Sequence, residues 1–555
     1  MAWCRTKNGE RIYLVQYSAE KKYRDILSNR LIENYGEEEH KDNDQVKSIL
    51  RYSLDYFIAE FKARCNSEKS VAFYQTVFLL HEDAIAVAHR LDAFPLPQEV
   101  SAEYFVMYRR ILKFILESGC DVDMITNEAF GDKHDARIAP ILDDLIFLGE
   151  MALSCASYYS EQDMIAQAFE VVFDEHSKYI FKRHSDKDAV VEHILQDMGV
   201  QLEKIAVDED ELSGINNFYS AIQECFNFDY KWVNPTIAAI HKKFDSQGGA
   251  IVGVGWRTFP MNLSHYASVP EGDAEVFFSG LKLDRDNKMD LLELVCKPYK
   301  TNRYLYRPIL GWNIDGGEYY IVGKKALGEA ITQIVLNSIP WGKAPPEWMS
   351  NDCFKKFVHK KENEHAGWLE DQVEQLIMEL NLPYDRNVER LLGEDGYVEI
   401  DIKGLGEIDF VVVSEHTKTI YLIDCKNLLG RFDSINQKND FNVFCRSSKK
   451  NKSYNEKIEG KVSWFKENRA IVSHHLGKAN PEWNGNVISY KVEGVFVVNT
   501  KTMYMYMAKH RIYVLNMLKD VFMGEYEDPI VKTTTVSDGF IIPKEIRYPF
   551  LSPCD

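Results

Sequence analysis

The sequence predicts a multidomain α/β protein: a mainly α-helical region over 1–245, a mixed α/β region over 246–348 and a C-terminal α/β domain over 349–527. That last domain is expected to hold a central mixed sheet flanked by helices, with 528–555 as a tail. Three observations carry this reading. A chain of 555 residues exceeds what one ordinary core organises, so roughly two to four domains are expected. Helical spacing dominates the first part, and the texture shifts to short β-rich, glycine-containing pieces near Gly248. The stretch "PWGKAPPEWMSND" then interrupts regular structure with three prolines and marks a boundary near residue 348.

In "DQVKSILRYSLDYFIAEFKARC", Val46, Ile49, Leu50, Leu54, Phe57, Ile58 and Phe61 fall on one face at helical spacing. "SAEYFVMYRRILKFILES" and "ARIAPILDDLIFLGEMALSCASYY" repeat that pattern, and a helical packing scaffold accounts for nearly all of this region. Beyond residue 246, "GGAIVGVGW", "AEVFFSGLKL" and "GGEYYIVG" suggest strands, and "KALGEAITQIVLNSI" suggests a helix. Past the prolines, the pattern predicts a helix over 366–380 and strands near 397–403, 406–414 and 418–426. A helix over 453–475 and strands near 492–499 and 511–516 complete it.

Hydrophobic residues make up 45% and aromatics 12%, enough for large packed cores. A net charge of -19 excludes a surface that coats nucleic acid or anionic lipid indiscriminately, but not one local groove. Ten scattered cysteines without a CxxC pair argue against a zinc site or a disulfide framework. With no signal-peptide-like N-terminus and no apolar run of membrane-spanning length, the expectation is a cytoplasmic protein with no membrane contact. Other motif-like stretches fail on detail. "DRDNKMDLLELV" begins like a calcium loop, but Met289 and Val295 stand where that loop needs Gly and Glu. "GGAIVGVGW" lacks the Lys-Ser/Thr of a phosphate loop, and the adjacent His474 and His475 form no HExxH arrangement.

The chemistry concentrates in "GEIDFVVVSEHTKTIYLIDCKN", Gly406–Asn427, where acids interrupt two apolar bursts. Strand side chains alternate faces, so Asp424 and Lys426 share one face while Ile423 and Cys425 share the other. Asp409 sits in the neighbouring strand. Glu370 lies at the edge of the apolar stripe of "HAGWLEDQVEQLIMEL". A structural reading remains open, with Lys426 simply bridging Asp424 or Asp409. Three carboxylates and one amine shift the balance, because clustered acids repel one another unless a cation compensates them. Mg2+ or Mn2+ would be held by Asp409, Asp424, the backbone carbonyl of Cys425 and Glu370. Lys426 would help deprotonate a water or stabilise charge on a phosphoryl transition state.

Glu370, "GEID" with Asp409 and "IDCK" with Asp424 and Lys426 together resemble the PD-(D/E)xK, restriction-endonuclease-like nuclease superfamily, in its NERD-type and Mrr-like flavour. The resemblance covers roughly 350–527. It implies a restriction-endonuclease-like fold, divalent-metal dependence and phosphodiester hydrolysis by Glu370, Asp409, Asp424 and Lys426. Two departures stand out: Ile408 rather than Pro precedes the first acid, and Asp replaces the commoner Glu at the second.

Between Lys438 and Arg469, nine Lys or Arg residues face four acids, a local basic patch suited to a polyanion. Lys449, Lys450, Lys452, Lys457 and Lys461 are the candidate nucleic-acid contacts. A solvated loop and helix face is the simpler alternative. Trp464 and Phe465 read as core rather than base-stacking residues. The expected function is therefore a DNA endonuclease, with DNA ahead of RNA, and by analogy a role in restriction or anti-phage defence. The helical region would regulate, bind a protein partner or assemble homo-oligomers. The alternative is an inactive nuclease-like scaffold that binds nucleic acid or protein.

Overall fold

Val46, Ile49, Leu50, Leu54, Phe57 and Phe61 are buried along helix Asn43–Ser67, whose Asp42 cap accepts from Gln45 N–H. In this computed structural model that helix packs along helix His134–Met164. Helices Val71–Ala88 and Ala102–Gly119 complete the layer around them. The described residues are all except 1–2, 17, 92–94, 127–133, 177, 203–208, 247–252, 299, 401–403, 431–432, 450, 484, 538–539 and 554–555. The fold is mixed α/β, 55% helical, with several small sheets.

Two sequence expectations need correction in this part. Helix Val71–Ala88 has the length and apolar composition of a membrane span, although 67% of it is buried inside the fold. Its acids Glu82 and Asp83 interrupt the apolar run, and Glu82 is engaged in the fold, accepting from Lys325 N–H and Ala326 N–H at the start of helix Lys324–Asn337. Secondly, Cys225 and Cys353 are joined by a disulfide. Their separation of 128 residues carries no spacing signature, and only the packing of two distant helices sets their Cα atoms 5.4 Å apart.

In the middle region, strands Ile309–Ile314 and Gly317–Val322 form a hairpin. Its turn, Asp315-Gly316, has both φ angles positive, as a two-residue hairpin turn requires. The short strand Asp123–Met124, from the helical region, pairs parallel to Ile309–Ile314. "AEVFFSGLKL" is mostly helix, Glu271–Ser279, with a two-residue strand at Lys282–Leu283. Ala274, Phe277 and Phe278 recur at helical spacing and are buried, so packing overrides their β preference. Part of "GGAIVGVGW" lies outside the described residues.

The C-terminal part begins with α1 (Asp352–Glu379), capped by Asn351, which accepts from Cys353 and Phe354 N–H. Then follow β1 (Tyr384–Val388), β2 (Arg390–Gly393), β3 (Gly396–Glu399), β4 (Ile408–Ser414) and β5 (Thr419–Lys426). After α2 (Ser434–Cys445), α3 (Tyr454–Glu467) and α4 (Arg469–Ala479) come β6 (Lys491–Val498) and β7 (Ile512–Val514). Five strands make one mixed sheet in the order β7-β6-β5-β4-β1, with β4 antiparallel to both neighbours and β5, β6 and β7 parallel. The edge strand is β1, not the segment expected near 397–403. Residues 390–399 form a separate two-stranded hairpin, and 401–403 lie outside the described residues. The helix expected over 453–475 is broken at Asn468 into α3 and α4. The expected tail contains an antiparallel hairpin of Ile530–Ser537 and Phe540–Arg547.

Alternation along the strands builds two cores. Phe410, Val412, Tyr421, Ile423, Val495 and Val497 face Leu369, Val373 and Ile377 of α1. Val411, Val413, Ile420, Leu422, Phe496 and Val498 face Phe444, Ile458, Val462 and Phe465, and this core runs on into the helical region. Each such aliphatic or aromatic side chain contributes about 1.5–3 kcal/mol on burial. Gly494 on β6 makes room for α3: a Cβ there would lie 2.5 Å from Ile458 Cγ1 and 2.8 Å from Val462 Cγ2.

Candidate active site

Antiparallel pairing brings the start of β4 beside the end of β5. The register sets Phe410 opposite Ile423 and Val411 opposite Leu422, and one further step sets Asp409 opposite Asp424. Both acids and Lys426 line a cavity of about 860 Å³. Its walls come from three sources: the β2–β3 hairpin with Glu389, Arg390 and Glu399, the loop Leu405–Glu407, and α3 with Tyr454, Lys457 and Lys461. His475 on α4 holds the hairpin in place. Its Nδ1 accepts from Leu392 N–H at 3.0 Å, which leaves Nε2–H to donate to Asp385 Oδ2 at 2.7 Å.

Asp424 is nearly fully buried and is bridged by Lys461, whose Nζ lies 3.0 Å from Oδ1 and 3.3 Å from Oδ2. Asp409 Oδ2 accepts from Cys425 N–H at 2.6 Å. Burial pushes the Asp409 carboxyl up to about 6; Asp424 and Glu370 add to this, while Lys426 and the Cys425 N–H oppose it. Lys426 Nζ donates to the Cys425 carbonyl at 3.0 Å and lies 5.1 Å from the Tyr454 ring centroid. Burial works against its charge, yet Asp424 and Asp409 outweigh it and raise the ammonium above its ordinary value. The Cys425 thiol is pushed well up by burial, which removes it as a nucleophile.

Glu370 is placed differently from its sequence reading. Its carboxylate accepts from Arg386 at 3.1 Å, and Arg386 also reaches Asp371 and Glu374. It influences Asp409 electrostatically but does not line the cavity. Asn427 ties the strand end to α1, donating to the carbonyls of His365 and Ala366 at 2.8 and 3.3 Å.

The candidate nucleic-acid lysines separate into different environments. Lys449 is exposed, Lys452 lies 3.8 Å from Glu456, Lys457 lines the cavity, and Lys450 lies outside the described residues. Lys461, read as a phosphate contact, is instead 2% exposed in the Asp424 pair. A signal for this was present in the sequence: Ile458, Lys461, Val462 and Phe465 share one helical stripe, so Lys461 belongs to the inward face. Lys438 and Arg446 of the basic patch pair with Asp163 of helix His134–Met164, at 2.9 and 2.7 Å, joined by Lys47. Phe465 is core and Trp464 packs against it, as the sequence suggested.

Hard carboxylate oxygens on two adjacent strand ends are the donor type that Mg2+ or Mn2+ takes. Among the described residues, no group of three or more His, Cys, Asp or Glu side chains is gathered to hold a metal. A divalent cation here would rest on Asp409 and Asp424, with further oxygens from water or substrate. Comparison with protein-family models, with curated proteins and with solved structures gives no match.

Proposed function

We propose that this protein is a divalent-metal-dependent nuclease, with a restriction-endonuclease-like C-terminal domain that hydrolyses phosphodiester bonds of DNA. The observation that carries the reading is the meeting of Asp409, Asp424 and Lys426 at one cavity, from two antiparallel strands that carry "GEID" and "IDCK". Mg2+ or Mn2+ held by Asp409 and Asp424 would supply Lewis-acid activation of the phosphodiester. Lys426, with its raised affinity for a proton, is suited to stabilising charge developing on the phosphoryl group rather than to removing a proton. Lys457, on the cavity wall, and the exposed Lys449 are the phosphate contacts of this reading. The Asp163 cluster couples the helical region to α2, which supports a regulatory role for that region. Controlled DNA cleavage in restriction or anti-phage defence is the setting such a fusion suits.

One observation favours the second reading, an inactive binding scaffold: Lys461 already compensates Asp424 without a metal. Supercoiled plasmid, linear duplex and RNA, each incubated with Mg2+, Mn2+ or chelator, separate the two. Metal-dependent nicking by wild type and none by Asp409→Asn or Asp424→Ala is the expected result. Equal, intact substrates throughout would leave the scaffold reading.

A further inference from the structure

Lys461 Nζ occupies a point where three oxygens converge. Asp424 Oδ1 is at 3.0 Å, Asp424 Oδ2 at 3.3 Å and the Glu407 carbonyl at 2.6 Å. Local backbone features build this point. Gly406 has φ +74, a conformation other residues rarely adopt, immediately before Glu407. Gly460 lets α3 approach the same loop, since a Cβ there would come within 2.7 Å of Leu405 Cδ2. With Lys461 only 2% exposed, the ammonium depends on these oxygens, because water is excluded from it.

We infer that Lys461 is the resident counter-ion of this site and leaves Asp424 and the Glu407 carbonyl when a divalent cation binds. The inference rests on the nuclease reading above. Hard carboxylate oxygens are the ligand type that divalent cations take, and a cation resting on Asp409 and Asp424 would draw on the same Asp424 oxygens that Lys461 Nζ bridges. The four-carbon lysine stem has rotatable bonds, and the adjacent cavity gives a released amine room beside Lys457. Lys461 is then a counter-ion in the resting protein and a phosphate contact in the loaded one. The pair also sets metal affinity: a pair closed roughly 90% of the time weakens apparent binding about tenfold.

The test uses the full-length wild-type chain treated with an amine-acetylating reagent, with and without saturating Mn2+, and read by mass spectrometry. Mn2+ binding is followed in parallel by electron paramagnetic resonance. Lys461 is expected to be protected without Mn2+ and acetylated with it, while the exposed Lys449 reacts equally in both. Mn2+ binding with Lys461 still protected overturns the exchange and leaves the nuclease reading standing. No Mn2+ binding at all removes the nuclease reading and the exchange with it. Lys461→Met, which keeps the stem and removes the charge, is expected to bind Mn2+ about tenfold more tightly. Equal or weaker binding by the folded variant also overturns the inference.

Discussion

Replacing Asp424 by Ala tests the buried pair directly. The change leaves the Lys461 ammonium, 2% exposed, with the Glu407 carbonyl as its remaining partner among the contacts described. Breaking a buried ion pair by removing one member costs about 3–5 kcal/mol. Both side chains are nearly fully buried, at 2% and 5% exposure, so solvent screening gives no discount. Relief of Asp409, whose carboxyl Asp424 helps to push up, offsets part of that loss and sets the expected destabilisation near 3 kcal/mol. An acid kept solely for chemistry behaves in the opposite way, since removing a strained catalytic charge commonly stabilises a fold. Urea unfolding in chelator, for wild type, Asp424→Ala, Lys461→Met and the double variant, measures the effect. The coupling energy between the two sites is expected to be about 2–3 kcal/mol, with the double variant more stable than Asp424→Ala alone. An Asp424→Ala protein within about 1 kcal/mol of wild type, or strictly additive variants, would refute the pair as a desolvated, mutually dependent contact.

Other perturbations read other parts of the site. The Asp409 carboxyl, moved from 3.8 to about 6, makes the metal-free fold favour its protonated form. That contribution, on the order of 3 kcal/mol, is fully present below about pH 4 and is lost as pH rises through about 6. Unfolding curves in chelator across pH 4–7 should show this slope in wild type and not in Asp409→Asn; identical slopes would remove the assignment. Gly494→Val forces β6 against Ile458 and Val462, at a cost of about 1–3 kcal/mol. It should also increase Lys461 acetylation in metal-free protein, because α3 carries that lysine. Unchanged labelling would mean that α3 is positioned independently of β6. At the junction with the helical region, burial opposes ionisation of Asp163, but hydrogen bonds from Arg446, Lys47 and Lys438 outweigh it and hold the carboxyl well below its ordinary range. Asp163→Ala should cost about 1–3 kcal/mol, since its cations are partly exposed. Faster amide exchange in α2 is expected in that variant, and unchanged protection in α2 would exclude the coupling.

Much of the C-terminal part was legible from local pattern. Period-two alternation in "FVVV" and "IYLI" sorted side chains between the two cores and put Asp424 and Lys426 on one face. The helical stripe Leu369, Val373, Ile377 located the second half of α1, but the helix begins at Asp352, well before the expected start at 366. The edge strand was misplaced, because Tyr384–Val388 is polar at most positions and becomes a strand only by pairing with β4. The break at Asn468 was equally hidden within a continuous helical pattern.

Local pattern assigned side chains to the two faces of each strand, because side-chain alternation is a property of the extended backbone. The same pattern showed that the clustered charges of Glu370, Asp409, Asp424 and Lys426 required compensation. How that compensation is made depends on long-range packing. Arg386 on β1 takes Glu370 out of the cavity, Lys461 on α3 pairs with Asp424, and Asp163 claims two cations of the basic patch. Those partners lie 16, 37 and 275 or more residues apart in the chain. No local rule connects them, since charges select partners by distance in space and by shared exclusion of water.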